Sequence, residues 1–328
     1  MNRFYKLLIL CTFCVVTLGR EPFKPRKGSL PFAVYFPSRY RGICFGFLVS
    51  RSAVMTAAIC VADPTSNIPD NRPINVITSV DYRHPRQGIR VQVTKILIPS
   101  FHNYTFQKPS LFQMTCAILL LKNKVPETLA KIPLRALETD LKGEEHLSVQ
   151  EECIIPGWHF FYRDDVIYPI HKFLLQRNLR VQFMNIVQRE PGCQTLLTKY
   201  QKALQTLGFI GTYTSNFHIC LRDPDRTAQP CHGMYGAPLI CKGRAVGIFM
   251  APDAQWTNCT GFTSIFHRFN LPHQTKFFDC VGKFFAPDMK LDMEEMKKDF
   301  IDEEQGFYDY IPPVLDRMYD HVSTSDEK

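Results

Sequence analysis

Cys231-His232-Gly233-Met234-Tyr235-Gly236-Ala237-Pro238-Leu239-Ile240-Cys241 decides how this chain is read. Nine residues separate the two cysteines, glycines stand at 233 and 236, and Pro238-Leu239 leads into the apolar end of the loop. These are the residues of a frame. The stretch contains no serine and no carboxylate.

The chain has 328 residues, enough for one large β domain or two small lobes with a sizeable core. Arg3 and Lys6 precede an apolar run from Leu7 to Val16 and then Thr17-Leu18-Gly19, the order of a secretory signal peptide over residues 1–19 with cleavage after Gly19. That run is shorter than the about twenty residues needed to cross a bilayer, and a buried N-terminal helix is the structural alternative. No other stretch reaches that length, so no membrane span is expected and the protein is read as secreted and extracellular. Of twelve cysteines, Cys11 and Cys14 fall in the signal, and the other ten fit an oxidising compartment. Sequons at Asn103 and Asn258 agree with secretion, although Asn258 abuts Cys259. The net charge of +8 divides unevenly: residues 286–328 carry thirteen Asp/Glu against five Lys/Arg, a net −8, which leaves +14 on residues 20–285. A basic body with an acidic tail points to anionic partners for the body, basic partners for the tail, or contact between the two; a merely solvated surface is the alternative.

The opening stretch resembles the nucleophile loop of the chymotrypsin/trypsin-like serine protease family, Cys-x-Gly-Asp-Ser-Gly-Gly-Pro-Leu-x-Cys. On that resemblance Tyr235 stands at the serine and Met234 at the aspartate that pairs with the activated N-terminus. Cys44-Phe45-Gly46-Phe47-Leu48-Val49-Ser50 and Val54-Met55-Thr56-Ala57-Ala58-Ile59-Cys60 resemble the segment that carries the general base, and Ile59 occupies the histidine's place. Met114-Thr115-Cys116-Ala117-Ile118-Leu119-Leu120-Leu121-Lys122 resembles the segment with the triad aspartate, which aligns with Cys116 or, one residue over, Thr115. The activation junction is altered too: residues 20–28 read as an exposed Pro- and Lys/Arg-rich linker, and no Ile-Val-Gly-Gly follows it. A buried charge without its partner would cost several kcal/mol, so the joint loss of the junction and its receptor is coherent.

The rest of the chain fits the same frame. Ile89, Val91 and Val93 alternate with polar residues as a half-buried strand does. Glu152 to Trp158 and Leu179 to Cys193 resemble the turn and strand that enter the family's second lobe. The interval from Cys193 to Cys220 is long, and Leu196, Leu197, Tyr200, Leu204 and Leu207 recur at helical steps, which predicts a short amphipathic helix there, either a surface embellishment or a partner-binding element. Ala245 to Pro252 resembles the strand that pairs with substrate, with Pro252 replacing a glycine donor, and Gln229 aligns with the floor of the specificity pocket. Phe277, Val281, Phe284 and Phe285 make one helical face in what resembles the closing helix, which Met289, Met293, Met296 and Phe300 could prolong. Tyr308 and Tyr310 lie among carboxylates, as in tyrosine-sulfation sites, within a tail whose composition is that of disordered segments.

The resemblance implies an all-β fold of two Greek-key β-barrels packed at a shared cleft over residues 29–285, with a C-terminal helix and an acidic tail over 286–328. It implies the disulfides Cys44–Cys60, Cys153–Cys241, Cys193–Cys220 and Cys231–Cys259, leaving Cys116 as a buried thiol and Cys280 over, and it implies no cofactor and no metal. The family mechanism needs serine, histidine and aspartate; with Tyr235, Ile59 and Cys116 in their places, the expectation is a secreted non-catalytic homologue acting by protein binding as a cofactor, decoy or scaffold. The reproductive or seminal-fluid setting rests on analogy. A sulfated glycan or other polyanion held by the basic body is the alternative, and a rewired hydrolase with Cys116 as nucleophile and His232 as base is a remote one. Nucleic acid is not an expected partner.

Overall fold

The computed structural model describes residues 22–23, 25, 28–39, 42–62, 69–78, 88–98, 116–129, 152–158, 160–162, 179–187, 191–206, 218–225, 228–230, 234–251, 263–269 and 272–284. Two closed six-stranded barrels organise them. The first contains β1 (Ala33–Ser38), β2 (Gly42–Ser50), β3 (Ala53–Ala57), β4 (Asn75–Thr78), β5 (Ile89–Leu97) and β6 (Cys116–Leu121), in the spatial order β1-β2-β3-β6-β5-β4. The second contains β7 (Glu152–Gly157), β9 (Arg180–Ile186), β10 (His218–Arg222), β12 (Pro238–Cys241), β13 (Arg244–Ala251) and β14 (Thr263–Arg268), in the order β10-β14-β13-β12-β7-β9. A short pair, β8 (Phe160–Tyr162) with β11 (Ala228–Pro230), stands beside it. The expectation of an all-β, two-barrel chain is met.

Local sequence explains the strands. In β5, Val91 and Val93 turn inward while Arg90, Gln92 and Thr94 are exposed, the period-two pattern of a strand with one wet face. The β12–β13 hairpin closes on Lys242-Gly243 with φ of 51° and 76°, the positive angles that a two-residue type I′ turn requires. The barrels share one core across their seam. Trp158 is fully buried, with its ring 5.8 Å from Tyr35 and 4.9 Å from Phe45 of the first barrel, and Phe47 lies 6.5 Å from Phe269. A fully buried aromatic side chain contributes about 1.5–3 kcal/mol, so this seam ties the two barrels into one body.

Two helices follow the sequence with corrections. The insertion helix α1 (Pro191–Thr206) is sixteen residues long rather than short, and starts upstream of the leucine run. Proline suits the first turn of a helix because its missing N–H has no partner there. Cys193 and Leu197, four residues apart, are buried on its inner side, and Leu207 lies outside the described residues. The closing helix α2 (Pro272–Val281), continued by a 3₁₀ turn over Gly282–Phe284, buries Val281 of the expected face and, beyond it, Phe278. Phe278 meets Phe269 edge-on at 5.7 Å, while Phe277 and Phe284 are half-buried flanks packed against the core. Phe285 and any continuation through Met289 to Phe300 lie outside the described residues.

Three of the four implied disulfides form: Cys44–Cys60, Cys153–Cys241 and Cys193–Cys220. Each typically adds about 2–4 kcal/mol. Cys231 and Cys259 lie outside the described residues, as do the signal, Asn103, Asn258, Tyr308, Tyr310 and the acidic tail. The stretch read as an exposed linker differs from expectation. Pro22 and Pro25 are buried, and Phe23 exchanges two backbone hydrogen bonds with Val181, 2.7 and 2.8 Å, with its ring 5.5 Å from Phe183. The reason is an open edge: β10 pairs with β9 only at Asn185 and Ile186, so the outer N–H and C=O of Val181 need a partner.

Candidate functional site

The loop at 234–237 sits where the barrels meet. Ala237 N–H donates to the Met234 carbonyl (2.9 Å), making a tight turn, and Gly236 within it has φ +90°. A β-carbon on Gly236 would overlap the Phe45 carbonyl oxygen and Thr56 Oγ1 and come 3.1 Å from Ala57 N, so only glycine lets the loop lie this close to β2 and β3. The Tyr235 carbonyl accepts from Phe45 N–H at 2.8 Å, and Cys60 Sγ lies 3.6 Å from the same oxygen. Ala57 pairs with Cys116 at the start of β6, and Ile59 follows in the 3₁₀ turn Ala58–Cys60. Backbone contacts therefore bring the segments that carry Tyr235, Ile59 and Cys116 to one neighbourhood.

Each of the three is inside the protein: relative exposure is 2% for Tyr235, 1% for Ile59 and 0% for Cys116. The Tyr235 ring lies 6.0 Å from Phe249 of β13, tilted against it. Burial pushes the Cys116 thiol far above its ordinary pKa, which keeps it protonated and a poor nucleophile. Isoleucine has no group that can take a proton from a neighbour. His232 and Gly233 lie outside the described residues, so the proposed Cys116–His232 pair has no described geometry.

Met234 is fully buried against Gly157 at the end of β7. A β-carbon on Gly157 would overlap Met234 Cε and lie 2.8 Å from Sδ, so the thioether fills the space against the glycine backbone. Nearby, β11 runs antiparallel to β8, with Gln229 opposite Phe161. The buried Asp223 carboxylate holds the approach to β11: it accepts from Ala228 N–H at 3.0 Å and from Asp225 N–H at 3.1 Å. The segment aligned with the floor of the specificity pocket is thus fixed by backbone pairing.

The residues that sequence reasoning missed are His218 and His267. They face each other across the β10–β14 pair, both buried, with ring centroids 5.8 Å apart. Burial, and secondarily the charge of Arg268, holds the His218 pKa down to about 3. A signal existed: His218 stands two residues before Cys220, so strand alternation places it on the face that carries the disulfide to α1. Val187, Cys193, Leu197, Cys220 and Ile265 are buried but separate from the main core, a satellite cluster beneath α1. Among the described residues no group of three or more His, Cys, Asp or Glu could hold a metal ion, and no helix is long and apolar enough to cross a membrane.

The family model for trypsin matches residues 21–270. Granzyme H of Homo sapiens is 25% identical over 232 residues, covering 70% of this chain and 79% of the relative. Granzyme-like protein 2 of Rattus norvegicus is 24% identical over 239 residues, 71% of this chain and 77% of the relative. Among solved structures, the scabies mite inactivated protease paralogue S-D1 superposes with a TM-score of 0.54 at 17% identity, covering 81% of this chain and 99% of that one. Neuropsin, a serine protease expressed in the limbic system of mouse brain, gives 0.51 at 18% identity over 80% and 98%. At those identities the two structures speak to fold. With the family model spanning both barrels and the loop at their seam, the chain belongs to the trypsin-like serine protease family.

Proposed function

We propose that this protein is a secreted, non-catalytic member of the family that works by binding another extracellular protein, as a cofactor, decoy or scaffold for a protease-linked pathway. What supports the reading is that the positions aligned with the triad by the resemblance hold Tyr235, Ile59 and Cys116 (Thr115 one residue over), none of them the family's residue, and that Tyr235, Ile59 and Cys116 are buried. Loss of a whole triad costs on the order of a millionfold in turnover. Met234 against Gly157 supports the same reading, because the position aligned with the receptor for an activated N-terminus is filled by an apolar side chain. Disulfides and family membership fit an extracellular setting. The scabies mite paralogue, described as inactivated, offers a precedent for this frame without catalysis. The rewired hydrolase loses ground through the buried, protonated Cys116.

The test is Tyr235→Ser in the full chain. A serine there has no base at Ile59 and no orienting carboxylate at Cys116, so the variant should show no peptide cleavage above the parent. Measurable cleavage by Tyr235→Ser would overturn the reading. Cross-linked co-purification from the native secretion identifies the partner.

A further inference from the structure

The outer face of β5 and the end of β6 carry a strip of cations. Arg90 lies on the wet face of β5, and Lys95 joins it after a bulge between Val93 and Lys95. Lys122 N–H donates to the Gln92 carbonyl at 2.8 Å, which sets Lys122 beside the middle of β5, and Lys124 follows two residues on. All four side chains are exposed, and none forms an ion pair among the described residues. The described part of the first barrel contains only two carboxylates, Asp70 and Glu127, and these are taken by Arg72 and Arg51. Because β5 is paired on both sides, by β4 and β6, an occupant of this face cannot add a strand and must be held by side-chain charge.

We propose that this face seats the chain's own acidic segment, residues 286–328, around Asp302-Glu303-Glu304. Its net charge of −8 complements the strip. The tether permits it: the eighteen residues from Phe284 to Asp302 can extend about 60 Å, against a radius of gyration of about 18 Å for a body of this size. Tethering also favours it over a free polyanion, since a short flexible linker supplies an effective concentration of about millimolar. An external anionic ligand would then reach the strip only by displacing the tail. The tail therefore acts as a built-in competitor, and its removal exposes the face.

Zero-length carbodiimide cross-linking of the intact chain, read by mass spectrometry, tests the seat. Lys95, Lys122 and Lys124 should join carboxylates between Asp288 and Glu327, with yields falling severalfold at about 1 M salt, where the screening length is about 3 Å. Tail carboxylates joined instead to lysines elsewhere on the body, or joined to none, overturn the proposal. A second arm uses heparin as the probe, on full chain folded and then cut at a protease site placed after Ala286. The cut protein should elute at higher salt than the intact one, and the full chain carrying R90Q, K95Q, K122Q and K124Q should show no such gain on cutting. Equal elution of intact and cut protein would assign the strip to an external polyanion and refute the tail's role. Unchanged near-ultraviolet circular dichroism in the four-site variant verifies its fold.

Discussion

Replacing His218 with phenylalanine should remove much of the protein's sensitivity to mild acid. His218 is buried opposite His267, with Arg268 contributing positive charge, and its pKa is held down to about 3. An imidazole in the unfolded chain titrates near 6.5, about three units higher. Because the folded value is the lower one, the contribution of the neutral ring is fully present above about pH 6.5 and is lost as the pH falls towards about 3. Between about pH 6.5 and 4.5 the unfolded chain takes up a proton that the folded chain refuses, at about 1.4 kcal/mol per unit, so about 2.7 kcal/mol of stability disappears. That is a large share of a typical 5–15 kcal/mol total, roughly speaking. The assay is urea unfolding at about pH 7.5 and 4.5, followed by tryptophan fluorescence, to which the buried Trp158 contributes. Carboxylates titrate in parent and variant alike and cancel in the comparison. The variant should show a difference between the two pH values smaller by about 2–3 kcal/mol, whatever its absolute stability. Equal pH dependence in parent and variant would refute the reasoning.

Met234→Asp tests whether the space against Gly157 accepts the carboxylate that the family resemblance puts there. A carboxylate packed on Gly157 without a partner amine should destabilise by about 3–5 kcal/mol, seen as a lower urea midpoint; an unchanged midpoint would show that a cation reaches the site. Iodoacetamide should label exposed Cys280 in the native protein and leave Cys116 unlabelled until urea is added, as their burial dictates. Native labelling of Cys116 would revive the hydrolase alternative.

Much of the fold was readable because the frame residues have no substitutes. Gly236 must be glycine where the loop touches Phe45 and Ala57, and cysteines at 44, 60, 153, 193, 220 and 241 meet their implied partners. The resemblance also placed Tyr235, Ile59 and Cys116 at the triad positions from sequence alone, the substitution on which the proposed function rests. What escaped the sequence depended on tertiary edges. Phe23 looked like part of a polar linker, and only the open side of Val181 gives it a strand partner. Helical periodicity found buried Val281 and the half-buried Phe277 and Phe284 of α2 but missed Phe278, which packs on Phe269 at the barrel seam. His218 and His267 lie forty-nine residues apart in sequence and become neighbours only through the β10–β14 register.

The central claim is that this member of the trypsin-like family does not hydrolyse peptide bonds. Purified full-length protein, before and after cutting in the Arg26-Lys27 region, can be offered a mixed peptide library together with a fluorophosphonate probe that traps activated serines. The account predicts no labelled serine and no cleavage above buffer in either form. Stoichiometric labelling of a single serine, with cleavage that the probe abolishes, would contradict it.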